Sequence, residues 1–152
     1  MGESAGGGLI FSLALLLKKQ GLPMPERLVG ISPWADLEMT GPSYTENRKK
    51  DPSLSKTKLG WYAQVYAGTN LDDPLVSPIY GIYDGFPPAL IFAGADELLR
   101  SDAERLAARY QEAGAPCSLV VQAGMWHVYV LFAVPEGRAA QAEIRRFLKG
   151  EA

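Results

Sequence analysis

This 152-residue chain is short of most residues that build metal, disulfide or polyanion sites. It has one cysteine, Cys117, so an internal disulfide is excluded. It has one histidine, His127, which excludes a multi-histidine metal centre, and the two residues do not make a zinc spacing. The formal net charge is -2, which gives no reason to expect a nucleic acid or an anionic membrane as partner. Long apolar runs are missing too. Leu9 to Leu17 is the longest near the start, and Lys18 and Lys19 end it well short of a membrane span. No basic segment precedes that run and no small-residue cleavage site follows, so it does not read as a signal peptide. With a lone thiol, these features point to a reducing cytoplasm. There is no phosphate-loop motif and no internal repeat, and no metal or cofactor is expected.

What remains has the composition of one folded domain: 47% hydrophobic and 21% charged. Residues 7 to 20 begin with glycines and turn solidly apolar, predicting a buried helix ended by Gly21 and Pro23. Short apolar runs at 27–32, 88–94 and 117–121 predict buried strands. Residues 35–55 are polar and predict a long surface excursion. Ser55 is expected to cap a helix over 56–67, with an apolar face from Trp61, Tyr62 and Tyr66. Residues 68–88 read as loop. Ser101 with Glu104 predicts a capping box opening a helix over 102–113. A last helix over 137–149 would bury Ala140, Ile144, Phe147 and Leu148. Cys117 reads as a small buried hydrophobe within its strand. Strands alternating with helices imply a parallel sheet covered on both faces. Three strands are few for that, and a fourth, before Ser4, is the expected absentee.

In such sheets chemistry gathers at the carboxyl ends of the strands. Three features fall there. Gly2-Glu3-Ser4-Ala5-Gly6 fits G-x-S-x-G, the sharp strand-to-helix turn that exposes a serine hydroxyl. Asp96 and Glu97 follow the strand ending at Gly94, and His127 follows the strand through Val121. Serine, acid, histidine in that order suit nucleophilic catalysis. A neutral imidazole takes the proton of a weak nucleophile, and a carboxylate fixes the imidazole tautomer. The amide of Ala5, next after the serine, would donate to an oxyanion.

Further runs complete a pattern: Ser32-Pro33-Trp34-Ala35-Asp36-Leu37, Asp73-Pro74-Leu75-Val76-Ser77-Pro78, Pro87-Pro88-Ala89-Leu90-Ile91, Asp96-Glu97-Leu98-Leu99 with Asp102-Ala103, and Gly124-Met125-Trp126-His127-Val128. Together they resemble the hormone-sensitive-lipase-like esterases, bacterial family IV of the α/β-hydrolases, over about residues 1 to 148. The resemblance implies a partial α/β-hydrolase fold: a short parallel sheet with helices on both faces, lacking the family's N-terminal strands and cap. The whole of 1–152 would be the C-terminal part of one such domain, starting at the nucleophile turn. It implies hydrolysis of short-chain acyl esters through an acyl-serine, without a cofactor. Ser4 corresponds to the nucleophile and His127 to the base. The acid is assigned to Glu97, with Asp96 as the alternative. Asp73 and Ser77 are expected to tie down loop backbone. Trp34, Tyr44, Trp126 and Tyr129 would either line an acyl pocket or pack in the core. Glu3 stands where the family usually has aspartate, and its H-G-G-G oxyanion segment has no counterpart here. The strand edge beside Ser4 would then be open, predicting a homo-oligomer or dependence on a complementary N-terminal segment.

Overall fold

A computed structural model describes residues 1–151. Its element order is β1 (Gly2–Glu3), α1 (Ser4–Lys19), β2 (Leu28–Ile31), α2 (Ser43–Glu46), α3 (Lys56–Ala67), β3 (Ala89–Gly94), α4 (Arg100–Glu112), β4 (Cys117–Gln122) and α5 (Pro135–Lys149). Single 3-10 turns lie at Pro78–Tyr80 and Tyr129–Leu131. The strands form one parallel sheet in the order β1-β2-β3-β4. The strand missing from the sequence reading is therefore present as a two-residue stub, Gly2 beside Gly30 and Glu3 beside Ile31.

Every residue of β2 and β3 is buried, which explains their unbroken apolar runs. Alternate side chains feed two cores. Leu28, Ala89, Ile91 and Ala93 meet Phe11 and Leu15 of α1 and Leu106 and Tyr110 of α4. Val29, Ile31, Leu90 and Phe92 meet Tyr129, Val130 and Ala140 and Ile144 of α5 on the opposite face. A third cluster, including Trp34, Leu37, Tyr44, Leu59, Leu98 and Leu99, lies apart from those two.

Several expected details differ. Helix α1 starts at Ser4 rather than residue 7, so the glycine run is helical. A Cβ on Gly8 would lie 2.0 Å from the Trp34 carbonyl oxygen, so the helix passes the segment after β2 at a distance only glycine allows. Helix α4 begins at Arg100. Ser101 is inside it and bonds Ser43, while Glu104 pairs with Arg100, so no capping box forms. Ser55 occupies the N-cap of α3 without a side-chain cap bond. The aromatics of α3 are turned outward, and Leu59 and Ala63 are its buried residues. Leu148 is likewise exposed. The polar excursion is the largest departure. Asp36, Ser43, Tyr44 and Asn47 are buried, with the Asp36 carboxylate, the Ser43 and Tyr44 hydroxyls and Asn47 Nδ2 paired across the fold. Asp73 accepts the Leu75 amide at 2.8 Å, and Ser77 accepts the Leu37 amide at 2.9 Å, so both tie down backbone.

Candidate active site

Ser4 sits where β1 becomes α1, with φ at +52°, a left-handed conformation unusual for a residue with a Cβ. The turn is held from below by the Trp34 amide, which donates to the Ser4 carbonyl oxygen at 2.9 Å. The hydroxyl is left free to meet the His127 ring, with Oγ 2.9 Å from Nε2. Ala5 opens the first turn of α1, where amides have no partner inside the helix.

His127 lies in the loop after β4 and is buried. Its Nδ1 is 2.9 Å from Oε2 of Glu97, a carboxylate with no exposed surface. A carboxylate at that distance puts the proton on Nδ1 and leaves the Nε2 lone pair for the serine hydroxyl. The second Glu97 oxygen receives the Gly94 amide at 3.3 Å. Asp96, one residue earlier, points elsewhere. It is partly exposed and pairs with Lys50 at 3.5 Å. Of the two acids read from the sequence, Glu97 is the one that reaches His127.

The histidine loop has its own anchors. Val128 follows it at φ +53° and donates its amide to Ser32 Oγ at 3.0 Å. Ser32 itself stands at the end of β2 at φ +48°. Ala95 and Asp96 donate their amides to Gln122 and Met125 carbonyls at 2.9 and 3.1 Å, joining the acid turn to the histidine loop. Residue spacing gave no sign of these supports. Ser32 was visible only as part of the Ser-Pro-Trp run.

A groove of about 690 Å³ opens beside Ser4, walled mainly by apolar side chains, among them Trp34, Leu37, Leu54, Leu59 and Tyr66. Of the four aromatics singled out above, Trp34 alone lines it. Tyr44 and Tyr129 are core residues, and Trp126 packs edge-on against Phe132. Among the described residues no cluster of three or more His, Cys, Asp or Glu side chains is arranged to hold a metal. No helix among them is long and apolar enough to cross a membrane.

Away from the groove is a second buried acidic centre. Asp102 accepts the amides of Ala35 and Asp36 at 3.0 and 2.9 Å and the Tyr44 hydroxyl at 2.9 Å. Burial first, and neighbouring Asp36 second, push its carboxyl well above the usual carboxylate range. Asp36 is paired with Arg105 at 2.6 Å.

A family described as alpha/beta hydrolase fold matches residues 1–131. An acetyl-hydrolase of Streptomyces hygroscopicus is 38% identical over 151 residues, covering 97% of this chain and 50% of that protein. An esterase of known structure from the bacterial hormone-sensitive lipase family is 41% identical with a TM-score of 0.93, over 97% of this chain and 51% of its own. The esterase EstE5, in a crystal soaked with p-nitrophenyl butyrate, is 34% identical with a TM-score of 0.93, over 99% and 51%. The chain belongs to the α/β-hydrolase family, among its hormone-sensitive-lipase-like esterases. It spans about half the length of the relatives it matches.

Proposed function

We propose that this chain carries the reacting groups of a carboxylic ester hydrolase acting on small, short-chain acyl esters. The observation that supports this reading is the unbroken chain Ser4 Oγ, His127 Nε2, His127 Nδ1, Glu97 Oε2, opening on an apolar groove. In this reading His127 Nε2 takes the hydroxyl proton as Ser4 Oγ adds to the ester carbonyl carbon. The Ala5 amide donates to the resulting oxyanion. Collapse breaks the bond to the alkoxy oxygen, which leaves as the alcohol with the proton from Nε2, and the acyl group stays on Ser4. A water molecule then repeats the cycle, yielding the acid and free serine. Glu97 holds the ring tautomer and stabilises the imidazolium. No cofactor takes part, and the reaction suits a cytoplasmic enzyme. The chain would form the nucleophile-to-histidine part of one hydrolase domain.

A second reading is favoured by one feature. Stub β1 pairs only with β2 among the described residues, and Leu9 and Leu13 of α1 beside it are half exposed. In this reading the chain works with a complementary N-terminal segment or with further copies of itself, which would supply more oxyanion donors. Each such donor lowers the barrier by on the order of 3 kcal/mol. Without one the chain would be a folded but catalytically incomplete module.

The test is p-nitrophenyl butyrate hydrolysis by the 152-residue chain beside Ser4→Ala, with organophosphate labelling of both. Labelling confined to the wild-type serine supports an activated nucleophile. Turnover decides between the two readings. Absence of labelling in a folded wild-type chain refutes the first reading and leaves the incomplete module.

A further inference from the structure

We propose that Asn47 and Asp51 are positioning residues for Glu97: the segment from Ser43 to Asp51 grips the backbone of the acid turn and so holds the carboxylate against His127. The inference rests on the proposed roles of Ser4, His127 and Glu97.

Glu97 has little else to orient it. Its side chain touches His127 and takes one long bond from the Gly94 amide, so the backbone of its turn decides where the carboxylate points. The Ala95 and Asp96 amides tie that backbone to the histidine loop, and the bonds around Glu97 and Leu98 come from the Ser43–Asp51 segment. Asn47 Nδ2 donates to the carbonyl oxygens of Ala95 and Glu97 at 2.8 and 2.9 Å. Asp51 Oδ2 accepts the Leu98 amide at 2.7 Å, and the Ser43 hydroxyl donates to the Leu98 carbonyl at 2.5 Å. The grip therefore brackets Glu97 on both sides.

Two details separate these bonds from general packing. Asn47 has no exposed surface, and its Oδ1 is buried without a partner. A buried amide with one unsatisfied atom is costly to stability. Its two good bonds are both spent on the acid turn. Asp51 also accepts the amides of Ser53 and Leu54 through Oδ1, and Leu54 lines the groove. The same carboxylate thus couples the acid turn to the groove wall. The flanking ion pairs, Lys50 with Asp96 and Glu46 with Arg100, are solvent-facing and contribute little.

A single histidine makes the test unambiguous. In the full chain labelled with 15N-histidine, the Nδ1–H proton bonded to Glu97 is read by its chemical shift and its exchange with water. Glu97→Gln should shift that signal. Asn47→Leu removes both donors without adding charge, and Asp51→Asn weakens the Leu98 contact without changing size. In each the fold is kept, by circular dichroism, and exchange should quicken about tenfold. Lys50→Ala should change nothing. Should one variant fail to fold, the other decides alone. A folded Asn47→Leu or Asp51→Asn whose proton keeps the wild-type shift and exchange rate overturns the proposal and leaves the triad standing. A wild-type signal unaffected by Glu97→Gln overturns the triad reading and this proposal together.

Discussion

Ser4 is held in a conformation that a residue with a Cβ resists, and the strain can be measured. Its φ of +52° puts it in the left-handed region, at a cost of about 1–2 kcal/mol for an L-residue. The surroundings impose this: β1 is paired to β2 on one side, and the Trp34 amide holds the Ser4 carbonyl on the other. Ser4→Ala removes the hydroxyl and its bond to His127 but keeps the Cβ and the strain. Ser4→Gly removes both. The lost hydrogen bond cancels between the two variants, leaving strain relief against the greater unfolded-state freedom of glycine. That freedom is worth about 0.5–1 kcal/mol. The glycine variant should then be the more stable by about 0.75 kcal/mol, the midpoint of the difference. At this chain length that is a rise of about 1.5–3 °C in Tm. The assay is paired thermal unfolding followed by circular dichroism, under conditions where both transitions are reversible. Equal midpoints, or a lower one for Ser4→Gly, would show that the turn is relaxed in solution and that Ser4 is not held under strain.

Two further outcomes follow from the same geometry. The raised Asp102 carboxyl binds its proton more tightly folded than unfolded, so stability should fall as pH rises from about 4 toward the folded value. Asp102→Asn should flatten that fall in urea midpoints taken across this range, and an unchanged slope would refute the assignment. Gly94→Ala would place a Cβ 2.4 Å from the Met125 carbonyl oxygen and 2.7 Å from that of Trp126. The histidine loop must then shift, and organophosphate labelling of Ser4 should drop at least tenfold while the helical spectrum is kept; unchanged labelling would count against the tight crossing.

The sheet was legible because strands buried on both faces must be apolar throughout, and β3 lies within one residue of its expected span. The stub β1 carries no such signal, since two residues show no periodicity. Residues 35–55 misled for a physical reason. Composition reports polarity, whereas burial depends on the partners polar groups find, and here the carboxylates of Asp36 and Asp51 and the Asn47 Nδ2 find theirs. Their long-range partners lie 47 to 69 positions away in the chain, beyond what spacing in one sequence reveals. The aromatics of α3 teach the complementary lesson. Trp61, Tyr62 and Tyr66 are helical as expected, but a stripe of aromatics does not say what covers it, and they stand more than half exposed. Ser4, Glu97 and His127 were legible because each follows a strand end, where side chains from separate segments converge.

The sheet order explains why the histidine loop is built as it is. Neighbouring strands lie about 4.8 Å apart, so β4 is roughly 14 Å from β1 across three spacings. His127 starts from β4 and must reach Ser4 on β1, so its loop has to run back across the strand ends between them. Each crossing has left a mark. Over β3 the loop carbonyls of Met125 and Trp126 press on Gly94, where a side chain would block them. The turn from β3 also presents Glu97 to the passing imidazole. At β2 the loop is caught by Ser32, whose hydroxyl takes the Val128 amide. The segment following β2 supports both sides of the candidate site, with Ser32 under the histidine loop and Trp34 under the Ser4 turn. In this sheet order Ser4, Glu97 and His127 therefore meet by way of a hydroxyl just past β2, at Ser32, and a glycine at the end of β3, Gly94.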